Sequence, residues 1–398
     1  MARFALVLGA LSAAGPMAID MYLPALPMIA RDLHATQGQV EWSMTTFFLG
    51  LMLGQPFYGP LSDRIGRRPP LFGGMLLFVA ASAACSLANH AGVLIVARFI
   101  QGLGAGSAIA ISAATIRDRY TGHQAARLLA LRMMVLGLSP ILAPIFGAAL
   151  ISAVSWRYVF WFAAAYGLLG AALLLLIPET RDPEHRTPTH VAHVLRVYGR
   201  LATDRTFVGA VGVVALMQLA FSAYIADSSF VFIKIDHAPP WLYGAIYASN
   251  ALGFISLAQF TPNLMRRFPA ERLILTGSAM QASMAVVILL LALLGHVQVP
   301  MLVGPLFFFL ASFGLVGGPA TVTALRDHGP VAGTASSLLS LLQWGSAALG
   351  SGLVAALANG TALPMTLVMT GGALAGLAIV IGAFGRRPRP APTPAVAD

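Results

Sequence analysis

Charge is what this sequence has least of. Only 10% of its 398 residues are Asp, Glu, Lys or Arg, and acids are the scarcer sign, 14 against 24 basic residues. An ordinary soluble protein carries roughly 25% charged residues. With 58% of residues hydrophobic, too little polar surface remains to clothe a water-soluble globule, so that class is excluded. Cysteine is almost missing: Cys85 stands alone, and no internal disulfide is possible. Nine histidines occur, but none lies deep in an apolar run; His190 and His193 share a helical spacing without a third ligand nearby, so no metal site is expected. A phosphate-binding loop is also lacking. Gly102, Gly104 and Gly106 imitate one, yet no strand precedes them and their segment is apolar. No nucleophile–base pair, metal cluster or ATP motif is found, so neither an enzyme nor a cofactor is expected.

Long hydrophobic runs are what the sequence has in place of charge. Stretches able to cross a ~30 Å hydrocarbon core recur at roughly 4–29, 42–60, 71–89, 92–116, 128–153, 157–177, 207–233, 241–263, 272–295, 299–324, 331–358 and 361–385. The first follows Arg3 and mimics a signal peptide. It continues past Asp20 to Pro27 without a small-residue cleavage site, so it reads as a retained helix. The expected fold is an all-α membrane protein, twelve transmembrane helices in two six-helix pseudo-symmetric bundles at 1–178 and 207–385. A cytoplasmic linker (179–206), whose second part reads as an amphipathic helix, separates them. A tail rich in proline and alanine (386–398) is expected to be disordered.

The net charge of +10 suggests nucleic acid, but its placement argues otherwise. With both termini cytoplasmic, every basic residue except Arg31, Arg98, Arg157 and Lys234 falls in the segments facing the cytoplasm. That is the positive-inside bias of a multi-pass inner-membrane protein. The basicity is a topology signal.

The loop from Gly59 to Pro69 is the most structured of the connections. Gly59 and Pro60 are placed to end one helix and Pro69 to open the next. Between them Asp63, Arg64, Gly66, Arg67 and Arg68 make a charged hinge at the membrane surface. The equivalent second-half loop, Asn263 to Phe268, is a faint echo that keeps only Arg266 and Arg267. Span 5 holds Gly137, Pro140, Pro144 and Gly147, a kinked helix with a smooth side, suited to pivot against a partner.

A charge inside the bilayer costs roughly 2.5–3.5 kcal/mol at mid-depth and needs a reason. Asp20 is the strongest candidate. Pro24 cannot donate to its carbonyl, nor Pro27 to that of Leu23, so the helix is expected to break beside the acid, as at ion and substrate sites of transporters. Arg98, at similar depth in span 4, is permanently charged and cannot carry a proton. It reads either as the cation that holds Asp20 ionised or as a structural tie to helix carbonyls or Gln101. Burial disfavours a carboxylate and a guanidinium favours it, so the two oppose each other. Asp227, near the outer end of span 7, reads as a further cation or proton site or as a solvated residue beside Lys234 and Asp236; Glu41 lies at the outer edge of span 2. Tyr22, Gln101, Met217, Gln218, Phe221, Tyr224, Asp227, Gln343 and Trp344 are expected to line a substrate cavity of apolar bulk with a few polar handles.

These residues resemble the major facilitator superfamily. Gly59–Arg68 is similar to its signature G-x-x-x-D-R-x-G-R-R; Arg98, Gly102 and Gly106 resemble the helix-4 motif of proton-coupled members. Gly137–Ala148 resembles the helix-5 antiporter motif, with Ala143 before the proline and Gly147-Ala148 for the terminal glycine pair. Ile19–Pro27, Arg117-Asp118-Arg119-Tyr120 and Gly333–Leu338 are similar to motifs of the Bcr/CflA drug-resistance transporters. That resemblance implies proton-coupled efflux of bicyclomycin- or chloramphenicol-like antibiotics, with Asp20 and Arg98 in coupling. It also implies a cytoplasmic gate in which Asp63 latches to Arg117 or Arg119. The expected partners are small drugs, protons and the lipid bilayer, with no nucleic acid and a monomer as the default. A metabolite exporter or importer on the same fold is the alternative.

Overall fold

The computed structural model describes residues 2–181 and 191–384, so the tail at 386–398 and the linker segment 182–190, with His190, lie outside the described residues. Fourteen helices and no strand occur among the described residues: α1 (Ala2–Asp20), α2 (Leu26–Asp32), α3 (Gln37–Ile65), α4 (Arg68–Ser86), α5 (Ala91–Arg119), α6 (Gly122–Ala153), α7 (Arg157–Leu174), α8 (Val191–Leu201), α9 (Arg205–Ser229), α10 (Pro240–Met265), α11 (Ala270–Leu293), α12 (Val299–Leu325), α13 (Ala332–Leu357) and α14 (Leu363–Phe384). All but α2 and α8 are long enough to span a bilayer at 1.5 Å per residue. Ten of the spanning stretches are also apolar enough by composition. The other two, α3 and α10, carry more polar side chains and pack against protein on several sides, which spares those groups from lipid.

The ends of these helices follow local chemistry. Thr36 and Gln39 form a reciprocal capping box that starts α3, at 3.3 and 2.9 Å. Asp204 caps α9 by accepting from the Thr206 and Phe207 amides. Helix α1 stops at Asp20. The chain then makes a turn, a short 3-10 segment at Leu23–Ala25, and resumes as α2, so the first membrane crossing is broken beside the acid. The charged loop is tighter than expected: α3 runs through Pro56, Gly59 and Pro60 to Ile65, and only Gly66, at φ 101°, reverses the chain. Two prolines cost α3 two backbone bonds without ending it, because its neighbours hold the helix in place.

The internal repeat is visible in the packing. In the first half α1 lies on α6, α3 and α4 lie on α5, and α4 lies on α7. In the second, α9 lies on α13, α10 and α11 on α12, and α11 on α14. Two seams join the halves, α3 with α13 and α6 with α10, and they are equivalent under the same symmetry. The amphipathic α8 tucks Val197 and Leu201 against Phe207, Val211, Leu338 and Leu339 of the second half. Leu53, Phe57, Val96, Phe146, Leu176, Trp241 and Leu290 stay exposed on the outside, as a lipid-facing belt requires.

Close approach is purchased with glycine at one place above all. A Cβ on Gly102 of α5 would overlap the Phe47 carbonyl of α3, and one on Gly50 would overlap the Phe99 carbonyl. The two backbones are therefore in direct contact along the α3–α5 seam.

Candidate substrate and proton site

A cavity of about 280 Å³ lies between the halves at the middle of the bundle. From the second half Met217, Gln218, Phe221 and Ile225 of α9 face it, with Tyr247 and Phe254 of α10, Phe313 of α12, and Gln343 and Trp344 of α13. Pro16, Ile19 and Asp20 of α1, Phe48 of α3 and Pro140 of α6 complete the wall. Trp344 stacks on Phe48 across the seam, centroids 6.0 Å apart at 24°. The Gln343 amide donates to Gln218 Oε1 at 3.3 Å. The lining is thus aromatic, with few polar groups.

Of the residues expected there, Met217, Gln218, Phe221, Gln343 and Trp344 line the cavity, while Tyr22, Gln101, Tyr224 and Asp227 do not. Tyr22 is buried inside the first half, its hydroxyl 2.8 Å from Ser43 Oγ. Gln101 donates to Ser82 and accepts from Arg98. Tyr224 turns towards α10, stacking on Tyr247 and accepting from Asn250 at 3.1 Å. Of the two readings of Asp227 the solvated one is excluded: it is 1% exposed and accepts from Gln37, which also donates to Glu41. Sequence reasoning missed Phe48, Tyr247, Phe254 and Phe313.

Asp20 is 4% exposed and accepts a 2.9 Å hydrogen bond from the Tyr247 hydroxyl. The acid belongs to the first half and the tyrosine to the second. Arg98 is fully buried, but it does not pair with Asp20. Its Nη1 donates to the Ala18 carbonyl at 3.1 Å and to Gln101 Oε1 at 2.7 Å, and its guanidinium sits between the rings of Tyr22 and Phe47, 4.6 and 4.1 Å from their centroids. The structural tie is what the geometry supplies. Through it Arg98 fixes the backbone two residues before Asp20, so its reach to the acid is mechanical. Arg132, grouped by sequence with the cytoplasmic segments, is instead buried within α6 and donates to Ser12 at 3.0 Å.

The signature loop is organised around Arg67. Its Nη1 meets Asp63 at 2.8 Å and Ser62 at 2.7 Å, and its Nε meets Asp118 at 2.6 Å. The expected latch from Asp63 to Arg117 or Arg119 is not formed. Asp118, the acid between those two arginines, is the contact, while Arg64, Arg117 and Arg119 point outwards. Glu179 caps the turn, accepting from the Arg67 and Arg68 amides at 2.9 and 3.0 Å. Burial raises the Glu179 pKa, but backbone N–H donors from Arg181, Arg68, Arg67 and Thr180 outweigh it and hold the carboxyl below its ordinary value. Its contribution is therefore complete at neutral pH and is lost only as pH falls through that lowered value. Replacing Arg67 by alanine leaves the half-buried Asp63 without its cation and Asp118 with only Arg181, 3.8 Å away. Losing one partner of a fully buried pair costs about 3–5 kcal/mol, and this partly solvated one less. A lowered unfolding temperature for Arg67→Ala, with Arg64→Ala unchanged, is the expected result of a thermal melt in detergent.

Residues 8–351 match the family profile described as Major Facilitator Superfamily. The chain belongs to that superfamily. This facilitator is 32% identical to an uncharacterised MFS-type transporter, YdgK, of Bacillus subtilis, over 92% of the chain and 91% of the relative. It is 29% identical to a bicyclomycin resistance protein homolog of Haemophilus influenzae, over 92% of each. With the multidrug resistance protein MdtL of Vibrio parahaemolyticus it shares 29%, over 86% of each. Among solved structures it superimposes on a D-xylose–proton symporter with a TM-score of 0.74 at 16% identity, covering 97% of this chain and 98% of the other. The fold is shared, and the protein is a membrane transporter rather than an enzyme.

In this facilitator the smooth side of α6 meets both halves. Gly147 lies against the Met21 backbone at the break of the first crossing, and the Pro144 carbonyl faces Gly244 of α10. Gly137 lies near Ile255.

Proposed function

We propose that this transporter is a proton-coupled exporter of small amphipathic antibiotics, of bicyclomycin or chloramphenicol type, in the bacterial inner membrane. The observation that carries the reading is the Asp20 carboxyl, set in the wall of an aromatic cavity and hydrogen-bonded across the halves to Tyr247. A proton on Asp20 and a drug in the cavity then compete for one place. The halves at 1–178 and 207–385 rock about the cavity, both termini are cytoplasmic, and the working unit is a monomer.

The seams support an inward-facing resting state. Contacts between α3 and α13 run from Gly38 against Ala355, through Thr45 with Ser351 at 3.0 Å, to Phe48 and Trp344 beside the cavity. These lie at the end of the bundle away from Gly66, which the positive-inside bias makes the outer end. One proton moving down ~150 mV releases about 3.5 kcal/mol. At about 1.4 kcal/mol per decade that sustains a drug gradient of a few hundredfold.

A resistance panel in a pump-deficient bacterium, with and without a protonophore, tests the function. Resistance indifferent to the protonophore, or transport confined to one hydrophilic metabolite, would overturn it. Within the cavity, Trp344→Ala removes a stacked wall and is expected to weaken drug binding by about 1–2 kcal/mol, five- to thirtyfold. Tyr22→Phe, outside the cavity, should leave affinity unchanged. Equal losses in the two variants, measured by equilibrium binding to purified protein, would mean that the drug sits elsewhere.

A further inference from the structure

Away from the cavity, a second group of buried acids straddles the α3–α9 boundary. The Gln37 carboxamide nitrogen donates to Glu41 Oε1 at 2.9 Å and to Asp227 Oδ1 at 2.6 Å. Glu41 and Asp227 are 0% and 1% exposed, and both carboxyl groups are held on the one Gln37 nitrogen. Their other oxygens, Glu41 Oε2 and Asp227 Oδ2, have no partner among the described residues. A carboxamide has two hydrogens, and both are already used.

Among the described residues no cation pairs with either acid: Arg98 of α5, which packs on α3, is engaged by the Ala18 carbonyl, Gln101 and Met44. Helix α13, packed on both α3 and α9, has no titratable side chain. From α2, Arg31 is exposed and Asp32 accepts from the Trp156 indole. The π-helical segment Phe230–Ile235 contributes Lys234, which is exposed and lies 5.9 Å from the Phe230 ring; Asp236 beyond it accepts from the Val299 amide. From α10, Tyr243 is engaged by Ser228 and Tyr247 by Asp20 of α1. Two carboxylates this close in a dry site do not both ionise. A single proton shared by the pair would supply the hydrogen that the fully used Gln37 carboxamide cannot.

We propose that Glu41 and Asp227 form a second proton-binding site, distinct from Asp20, whose one shared proton clips the two halves together at the outer seam. Loss of that proton to the outer solution leaves two like charges across the seam and drives that end open. The proposal builds on the alternating-access reading, but its test needs neither drug nor transport. Spin labels at Ala153→Cys on α6 and Trp241→Cys on α10, both exposed at this end and on opposite halves, report its opening in a Cys85→Ser background. Full-length protein in lipid nanodiscs is titrated from acid to mildly alkaline pH. The expected result is a short separation in acid and a growing long-distance population as pH rises. Asp20→Asn keeps this transition. Glu41→Gln and Asp227→Asn lose it, because a neutral amide offers the remaining carboxylate a hydrogen at every pH. No transition in the parent protein, or an unchanged midpoint in both amide variants, overturns the proposal. Should the amide variants not fold, infrared spectra of Asp20→Asn at neutral pH decide: the carbonyl stretch of a protonated carboxyl must persist, and its absence refutes the shared proton. Failure of drug efflux in cells, with the transition intact, would count against the exporter and not against this site.

Discussion

Asp20→Asn is expected to abolish uphill export, collapsing the drug gradient from a few hundredfold to about one while leaving drug binding in place. Asparagine keeps an oxygen that accepts from Tyr247, so the hydrogen bond across the halves and the packing around it survive. What would be lost is the proton that competes with drug in the cavity, and with it the ~3.5 kcal/mol per cycle that membrane potential delivers. Arg98 cannot substitute, since a guanidinium does not titrate and this one is fixed on the Ala18 carbonyl. The measurement is drug-dependent proton release from everted vesicles, paired with counterflow of labelled drug. Release should vanish and counterflow persist. Drug-driven proton release at the parent rate would remove Asp20 from the coupling mechanism.

Gly102→Leu is expected to have the largest effect on the fold itself. The first atom of any side chain at this position meets the backbone of Phe47, which cannot rotate away. Relief requires α3 and α5 to separate along the seam, and that strips contacts from Gly50 and its neighbours as well. Overpacking typically costs about 1–3 kcal/mol when side chains can adjust; here no side chain is available to do so, and the loss should exceed that range. Gly73→Leu is the comparison, because Gly73 faces outwards with no atom near a new Cβ. Fluorescence-detected size exclusion should show a monodisperse peak for Gly73→Leu and aggregate for Gly102→Leu. Parental yield and melting temperature for Gly102→Leu would contradict the close seam.

The membrane architecture was legible because lipid imposes a single rule, long apolar helices with their charges outside, and hydropathy reads that rule directly. The break after Asp20 was equally legible, since Pro24 and Pro27 remove specific backbone donors. Azimuth was harder. Val214, Met217, Gln218, Phe221 and Ile225 make a helical stripe that faces the cavity, and Tyr224 lies just off its edge, turned to α10. A list of aromatic residues does not separate the two. Depth was harder still: Asp227 and Glu41 lie near span ends, where an error of two or three residues decides between water and burial. Their bridge joins Gln37 to a residue 190 positions away, a contact that only the packing of the two halves creates. The Asp63 partner went astray because the cation it meets is Arg67, four residues on in its own loop, and the α5 residue that joins them is Asp118. A helix turns by about 100° per residue, so Arg117, Asp118 and Arg119 face three directions.

The interruption of the first crossing has a mechanical meaning. Asp20 is the last residue of α1, and the links that follow it at Met21–Ala25 carry the chain into α2 with Gly147 resting on the Met21 backbone. The residue that would change charge is therefore also the residue at the joint. A change in its ionisation would act on the angle between two rods directly, with no relay of side chains between chemistry and movement. Proton occupancy and helix geometry would then be one variable, which is the simplest way for a small molecule in the adjoining cavity to be expelled only when a proton has taken its turn.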